Sequence, residues 1–363
     1  MITLAWLGFF RDDRLWTAAF MNAFAKIATV FGVVAALYWY ARSSEITSGL
    51  AIEDSFIAHQ KLSIVEWDQH ETRLYFGDLN GTDFLEINSA FYLRNPFIDQ
   101  NGRLLFVERR GFEENTVFRL LEVEVREGHP VCRVLHQSKD AIQSPIVYVG
   151  SDPETILFFS GPFNPQAIGG SVSILYLHAL TGGQERRVLN EKFSSLNSMV
   201  QISDNSFFAV SPFYRFSGEP AFVQIYFRSE WNAVATLISS IKVPGRANSA
   251  SYNPYSHVIY IQSSEFSPDL SVMSTMVDPA TMKTIGTVEL PRGWDYSDAF
   301  VDDNDLSGDK VFLLATPLKH DNEPRSIALL ALEAEGVREL RTFSLKAARE
   351  LSTDECSAAS SSP

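Results

Sequence analysis

The sequence predicts an all-β fold of repeated four-stranded antiparallel sheets, preceded by one N-terminal transmembrane helix. Three observations support this prediction. After residue 55 the chain consists of short β-branched and aromatic runs separated by Asn, Asp, Gly and Pro, which is typical of many short strands. Several of these runs recur at a nearly constant spacing. Near the N-terminus, an apolar segment is long enough to cross a bilayer as a helix.

Composition excludes several classes of protein. The 363 residues are 45% hydrophobic and 20% charged and include 2 cysteines, so the chain is not disordered, collagenous or stapled by several disulfides. The formal net charge is −14, and no run of basic residues interrupts the acidic composition. A nucleic-acid partner is therefore not expected, because phosphate backbones require a basic surface.

The first element is a predicted transmembrane anchor over residues 15–41, LWTAAFMNAFAKIATVFGVVAALYWYA, which would bind the protein to a membrane. Asn22 and Lys26 are its polar interruptions, and Lys26 can extend towards one interface if the span lies at about residues 22–41. The basic residues concentrate on the N-terminal side, which favours a cytoplasmic segment 1–14 by the positive-inside rule. The cations on that side are Arg11, Arg14 and Lys26.

Two alternatives for this segment stay open. A cleaved signal peptide would need small residues before its cleavage site, and Val34 and Ala36 offer one. A buried helix of a soluble domain is the other alternative. With an uncleaved anchor, residues 42–54 form a polar tether, and the rest of the chain lies in the periplasm or the extracellular space as a single-pass membrane protein.

A repeat follows the tether. The starts of five similar apolar runs are separated by 52, 51, 51 and 53 residues, a regularity that indicates repeated structural units. The runs are Leu104–Glu108, Ile156–Ser160, Phe207–Ser211, Val258–Gln262 and Val311–Ala315. A predicted hairpin follows each of them. These hairpins cover residues 116–135, 172–189, 221–238, 271–288 and 326–343. Another hairpin at 72–87, with a strand at 62–67 before it, brings the count to six units of four strands.

A four-stranded sheet cannot bury both of its faces by itself. Six such sheets arranged around an axis cover one another and leave only short edges, so residues 55–345 are predicted to form a six-bladed β-propeller. The segment Val277–Val288 resembles the hairpin of YVTN-type propeller repeats, and Leu177–Gly183 with Arg187–Leu189 is similar to TolB-type repeats. This resemblance implies the propeller superfamily and leaves the family and the function open. Because the first unit is the least regular, five or seven blades stay open as well.

One face of this propeller is the predicted recognition surface. In every unit, the second strand connects to the third, and the fourth strand to the next unit, at the same end, which we call the loop-rich face. Aromatic and arginine side chains in these loops are residue types enriched at binding hot spots. The predicted binding residues are Arg109, Arg110, Phe112, Phe163, Phe213, Tyr214, Arg215, Phe216, Phe266, Arg246, Arg292, Trp294 and Tyr296. The alternative is that Phe163, Phe213 and Phe266 fold back as plugs between blades.

A candidate calcium loop contains the carboxylates Asp303, Asp305 and Asp309 with Ser307. Oxygen ligands at alternate positions are typical of calcium-binding loops, but position 12, where an EF-hand has Glu, is Leu314 here. A solvated acidic turn is therefore the competing interpretation. No cofactor other than this Ca²⁺ is expected.

The C-terminal residues 346–363 are predicted to be a flexible tail that begins with a short helix over Lys346–Leu351. Cys132 is expected in a strand and Cys356 in this tail. A disulfide between them would need an oxidising compartment, and the sequence predicts that they stay unbridged.

Two functions from different classes are consistent with these features. The preferred prediction is a noncatalytic binding or scaffold module for a protein, peptide or glycan partner. The alternative is a propeller hydrolase or lactonase with acidic or metal-bound residues at the central opening, for which the sequence offers a set of carboxylates. They are Asp99, Glu108, Asp295, Asp298 and Asp302. Nucleophile-elbow and phosphate-loop motifs are absent from the sequence.

Overall fold

The structure is a computed structural model that describes residues 51–68, 71–111, 115–148, 155–161, 171–176, 186–187, 198–203, 206–211, 221–227, 236–243, 246–264, 272–301, 311–317, 327–333 and 336–358. The predicted N-terminal segment and anchor, and the tether up to residue 50, lie outside these residues. Within the described ranges, no helix has the length and apolar character needed to span a bilayer.

Six sheets make up the described chain, and four consecutive strands form the body of each. Sheet 1 contains β1 (Ala51–Ala58), β2 (Lys61–Asp68), β3 (Glu71–Asp78) and β4 (Phe84–Ser89). Sheet 2 contains β5 (Tyr92–Ile98), β6 (Leu104–Arg110), β7 (Val117–Arg126) and β8 (His129–Ser138). Sheet 3 contains β9 (Ala141–Tyr148), β10 (Thr155–Gly161), β11 (Ser171–Tyr176) and β12 (Arg186–Arg187).

The second half of the chain repeats this organisation. Sheet 4 contains β13 (Ser198–Ser203), β14 (Ser206–Ser211), β15 (Ala221–Phe227) and β16 (Thr236–Val243). Sheet 5 contains β17 (Arg246–Asn253), β18 (Val258–Ser264), β19 (Val272–Asp278) and β20 (Lys283–Glu289). Sheet 6 contains β21 (Trp294–Val301), β22 (Val311–Pro317), β23 (Ile327–Glu333) and β24 (Gly336–Phe343).

The first strands of the six sheets lie side by side in a closed ring. β1 contacts β5, β5 contacts β9, and the series continues through β13, β17 and β21 back to β1. We call these six strands the inner strands. This arrangement is a β-propeller fold, and the predicted all-β propeller is confirmed at that level. The first strand starts at Ala51 rather than at the predicted residue 55.

The five apolar runs of the sequence repeat all lie in second strands, namely β6, β10, β14, β18 and β22. Every residue of β10 is buried, as are the first five residues of β6. A second strand is covered on both faces by neighbouring sheets, so it needs apolar side chains at successive positions rather than at alternate ones. This requirement explains why the repeat was detectable as continuous apolar runs.

Apolar clusters fill the spaces between neighbouring sheets. Leu74 and Ile87 of sheet 1 pack with Leu104 and Phe106 of sheet 2. Similar clusters join sheet 1 to sheet 6, sheet 2 to sheet 3, and sheet 5 to sheet 6. The core is therefore divided into layers between sheets, as the radial arrangement requires.

The C-terminal segment corrects three predictions. Residues 346–358, which we call the C-terminal strap, contain β25 (Ala347–Ser352), a 3₁₀ turn at Thr353–Glu355 and β26 (Ser357–Ala358). β25 pairs in parallel with β4, and β26 pairs in parallel with β8. The described part of the tail is thus ordered, and its predicted helix is a strand. Sheets 1 and 2 consequently have five strands, whereas the other four sheets have the predicted four.

A disulfide holds the C-terminal strap in place, in contrast to the predicted pair of unbridged cysteines. Cys132 of β8 is bonded to Cys356, and 224 positions along the chain separate them. Leu351 of β25 is buried in the cluster between sheets 1 and 2. Covering an open strand edge removes unpaired backbone groups from solvent, and the apolar contact and the cross-link both stabilise that covered state.

Sheet 2 buries a carboxylate, Glu122 of β7, which is 2% exposed. Arg133 Nε donates to Glu122 Oε1 at 3.0 Å, and Arg133 Nη2 donates to Oε2 at 3.1 Å. Arg103 Nη1 lies 3.9 Å from Oε2. Burial raises the pKa of Glu122 above its ordinary value of 4.5, and the charges of Arg133 and Arg103 oppose that shift.

This raised pKa predicts an unusual pH dependence of stability. Above pH 4.5, the folded chain holds the Glu122 proton more tightly than the unfolded chain, so the contribution of Glu122 falls as pH rises through the folded pKa. Between pH 4.5 and the folded pKa of Glu122, the Glu122→Gln variant is therefore expected to gain stability relative to the wild type as pH increases. The gain is at most about 1.4 kcal/mol per pH unit. Urea denaturation at several pH values measures the difference.

Glu124, two residues along β7, provides the matched control. A hydrogen bond from Arg126 lowers the pKa of Glu124, so its contribution is present above pH 4.5 and is lost as pH falls through the folded pKa. The stability difference between Glu124→Gln and the wild type should therefore change with the opposite sign. Parallel pH profiles for the Glu122→Gln variant and the wild type would contradict the prediction.

Candidate binding face

The loop-rich face is where inner strands begin and second strands end. In sheet 2 the register pairs Tyr92 at the start of β5 with Arg109 near the end of β6. The chain leaves β6 at Gly111, whose φ is +82° and whose hypothetical Cβ would lie 2.6 Å from the Asn115 carbonyl oxygen. Glycine is required at this turn. The turn ends β6 directly after Arg109 and Arg110.

A bulge in β5 shapes this site. The pairing with β6 shifts between Arg94 and Phe97, and Asn95 adopts a φ of 49°, which is rare for a residue other than glycine. Asp54 of β1 holds Asn95, because Oδ2 accepts from the Asn95 backbone N–H at 2.6 Å and from Nδ2 at 3.3 Å. Bulges change the direction of side chains. Arg94 lies at this bulge, directly before Asn95 in the sequence.

The next inner strand, β9, contains a similar bulge. In β9, Ser144 has a φ of 47° and is followed by Pro145, as Asn95 is followed by Pro96 in β5. The pairing of β9 with β10 is also irregular at that point. Gln143 therefore occupies the position in sheet 3 that Arg94 occupies in sheet 2, and the two strands contact each other.

Two arginines form the positive centre of this region. The guanidinium Cζ of Arg94 lies 5.0 Å from the centroid of the Tyr92 ring, a distance at which cation–π attraction operates. Burial and the nearby charge of Arg94 lower the pKa of Arg109. Both arginines are half-buried, so two positive charges share a partly desolvated site.

Arg110 has an intramolecular role that the sequence did not indicate. Its Nε donates to Glu108 Oε2 at 2.6 Å, and its Nη2 donates to Asp354 Oδ1 of the C-terminal strap at 2.5 Å. Its Cζ lies 5.1 Å from the centroid of the Phe91 ring. Arg110 therefore connects β6 to the strap.

Glu108 is the centre of the same network and is fully buried. Ser89 Oγ donates to Glu108 Oε1 at 2.7 Å, and Thr353 Oγ1 donates to the same oxygen at 2.6 Å. Arg119 Nη1 lies 3.4 Å from Oε2, and its Nη2 donates to the Thr353 carbonyl at 3.2 Å. A buried carboxylate with these partners has a structural role, because its hydrogen-bonding capacity is already used.

Asp99, another carboxylate of the hydrolase alternative, also has structural partners. It lies after β5 and is 1% exposed. Its Oδ1 accepts from the backbone N–H groups of Asn101 and Arg103, and its Oδ2 accepts from Arg103 Nε at 2.6 Å. Asp99 thus stabilises the turn between β5 and β6, on the opposite face from Arg94.

Trp294 and Tyr296 begin β21 and pack against the cluster between sheets 5 and 6. The Tyr296 hydroxyl donates to the Pro291 carbonyl at 2.8 Å, and burial raises the pKa of Tyr296 to about 12. Arg292 is exposed, and its Nη2 lies 3.6 Å from Glu289 Oε1. The aromatic pair anchors this part of the face, while Arg292 is accessible to a partner.

The remaining predicted site residues fall mainly outside the described ranges. Arg246 begins β17. The undescribed binding residues are Phe112, Phe163, Phe213, Tyr214, Arg215, Phe216 and Phe266. The candidate calcium loop with Asp303, Asp305, Ser307 and Asp309 is also undescribed, as is Asp302. In the part of the chain that the structure does describe, no three His, Cys, Asp or Glu residues are grouped as metal ligands.

Sequence reasoning missed the binding potential of two polar residues of the bulges, Asn95 and Gln143. Arg94 Nε, Asn95 Oδ1 and Gln143 Oε1 are buried and have no hydrogen-bond partner. The available signal was the repeated pattern in which a polar pair precedes proline, Arg94–Asn95–Pro96 in one unit and Gln143–Ser144–Pro145 in the next. Proline at equivalent positions of two inner strands indicates a special backbone geometry.

Comparisons with known proteins give a fold and no family. No protein-family model matches the chain, and no curated protein matches it. The structure is similar to the periplasmic gluconolactonase of Pseudomonas aeruginosa, with 11% identity, a TM-score of 0.51 and coverage of 80% of this chain and 85% of that chain. It is also similar to the β-propeller domain of the trilobed protease from Pyrococcus furiosus, with 13% identity, a TM-score of 0.44 and coverage of 80% and 84%. The likeness to the gluconolactonase shows the β-propeller fold alone.

Proposed function

We propose that this chain is a membrane-anchored, extracytoplasmic, six-bladed propeller that acts as a noncatalytic binding module. In this proposal, residues 15–41 hold it in the membrane, and the loop-rich face engages a protein, peptide or glycan partner. The observation that carries the proposal is the pair of half-buried arginines, Arg94 and Arg109, beside Tyr92. Arginine and tyrosine are enriched at binding hot spots. Because the protein has a net charge of −14, its overall composition does not account for two cations at one place, and their grouping favours a binding role.

The disulfide supports the location in this proposal. Structural disulfides persist in the periplasm and outside cells and are rare in reducing compartments. The bond between Cys132 and Cys356 is therefore consistent with a propeller on the exterior side of the membrane.

Site-specific photocrosslinking in the native full-length chain tests the role of the face. A photoreactive phenylalanine analogue replaces exposed Arg292 on the loop-rich face in one variant. In the matched control it replaces Tyr255, which is 47% exposed in the turn between β17 and β18 on the opposite face. We expect a specific adduct from position 292 and none from position 255. Adducts from position 255, or from neither position, would contradict the proposed face, and turnover of lactones by the purified protein would favour the hydrolase alternative.

A further inference from the structure

The unpartnered polar atoms of β5 and β9 need an explanation. Arg94 Nε, Asn95 Oδ1 and Gln143 Oε1 are buried without hydrogen bonds. A buried polar group without a partner costs about 1–3 kcal/mol, so each such group requires an explanation, and a missing partner is one explanation. Here they lie in the equivalent bulges of two inner strands that contact each other.

The donors and acceptors define what would satisfy the site. Arg94 offers a positively charged N–H, whereas Asn95 and Gln143 offer oxygen acceptors. The Asn95 amide orientation follows from its neighbour, because Nδ2 donates to Asp54 Oδ2 at 3.3 Å and Oδ1 therefore points away from that carboxylate. A simple anion such as phosphate could pair with Arg94 but would offer few donors to the two amide oxygens. A peptide segment with an Asp or Glu side chain offers both a carboxylate and backbone N–H groups.

Charge on the surrounding surface agrees with an acidic partner. Among the described connections of the loop-rich face, two cations, Lys139 and Arg292, accompany one acid, Asp140. The described turns of the opposite face are richer in acids. Their exposed acids are Asp83 and Glu127, and the exposed cation Lys346 lies beside Asp83. The charges of the described connections therefore favour an acidic segment on the loop-rich face over the opposite face.

We infer that the bulged entries of β5 and β9 form a subsite for an acidic peptide segment. In this subsite one Asp or Glu carboxylate of the partner pairs with the Arg94 guanidinium, and adjacent backbone N–H groups of the partner donate to Asn95 Oδ1 and Gln143 Oε1. Arg109 adds a second positive charge, and the bulge at Asn95 holds the site in place before the partner arrives. This inference rests on the proposed function and names the chemistry that the loop-rich face would recognise.

Selection from a random heptapeptide library on the full-length protein tests the subsite. We expect the wild type to enrich peptides that contain Asp or Glu. Synthetic copies of the selected peptides should bind at least about tenfold more weakly when their carboxylate is replaced by an amide, because a hydrogen bond to a charged group is lost. Arg94→Gln should remove the enrichment, and Gln143→Glu should weaken it, because the new carboxylate would compete with the peptide for the positive charges of Arg94 and Arg109. The control Arg338→Gln, an exposed arginine of β24, should leave it unchanged.

The contrary outcomes are distinct. Equal acidic enrichment in the wild type and in Arg94→Gln would overturn the subsite, as would an unselective library. Inorganic phosphate could raise the unfolding temperature of the wild type but not of Arg94→Gln, while no acidic peptides are enriched. This result would show that the subsite binds a free anion rather than a peptide. Photocrosslinking from position 292 separates the two proposals. If the adduct from position 292 forms equally well in the presence of Arg94→Gln, the loop-rich face is still a binding face, but the acidic-peptide inference is wrong.

Discussion

Replacing Cys132 by Ser is expected to lower the free energy of unfolding by about 2–5 kcal/mol, the usual cost of removing a native disulfide. The bond joins positions 224 residues apart, so its loss releases a very long loop in the unfolded chain. It also frees β26, whose two residues have little pairing of their own. Chemical denaturation of the full-length protein, with and without reductant, measures the change.

Three comparisons make this result specific to the disulfide. Cys356→Ser should match Cys132→Ser, reductant should lower the stability of the wild type by a similar amount, and reductant should have no effect on the double variant. A wild type whose stability is insensitive to complete reduction would show that the C-terminal strap holds by its strand pairing and side-chain contacts alone.

Glu108→Ala is expected to destabilise the fold by about 3–5 kcal/mol, because removing one partner of a buried ion pair leaves an uncompensated buried charge. The side chain of Arg119 is 9% exposed and would lose its carboxylate partner at 3.4 Å. Ser89 and Thr353 would each lose a hydrogen-bond acceptor. Denaturation measures the stability, and hydrogen exchange of β25 measures how firmly the strap remains attached.

The exposed pair between Glu333 and Arg338 is the matched control. Its Nε–Oε1 distance is 2.6 Å, close to that between Arg110 and Glu108, but its side chains are 52% and 56% exposed. Glu333→Ala should therefore cost at most about 1 kcal/mol. Similar losses in the two variants would mean that Glu108 contributes no more than a surface carboxylate. Faster hydrogen exchange confined to the strap would show that Glu108 acts mainly on strap attachment.

The strands that sequence reasoning located well are those with a local signature. Leu104–Val107 of β6 are apolar at consecutive positions because both faces of that strand are covered. The hairpin turns were also local, as at Asn80–Gly81, where the Gly81 N–H donates to the Asp78 carbonyl at 2.9 Å. Periodicity and turn chemistry reside within a few residues of the chain.

The C-terminal strap shows where such reasoning fails. Lys346–Leu351 contains Lys, Ala, Arg, Glu and Leu, all good helix formers, yet it pairs as a strand with β4. Backbone hydrogen bonds to a distant edge outweigh an intrinsic preference of a few tenths of a kcal/mol per residue. The contact between Arg110 and the strap was missed for a related reason, since Asp354 lies 244 residues away in sequence.

By itself, the sequence determined the all-β class, the repeat and its second strands, because the burial of a strand determines the spacing of apolar residues along that strand. The tertiary structure decided the covered edges of sheets 1 and 2, the bond between Cys132 and Cys356, the partners of Glu108 and the unpartnered atoms around Arg94. Each of these depends on the distance between segments that are far apart along the chain. No local pattern encodes such a distance until the ring of sheets has formed.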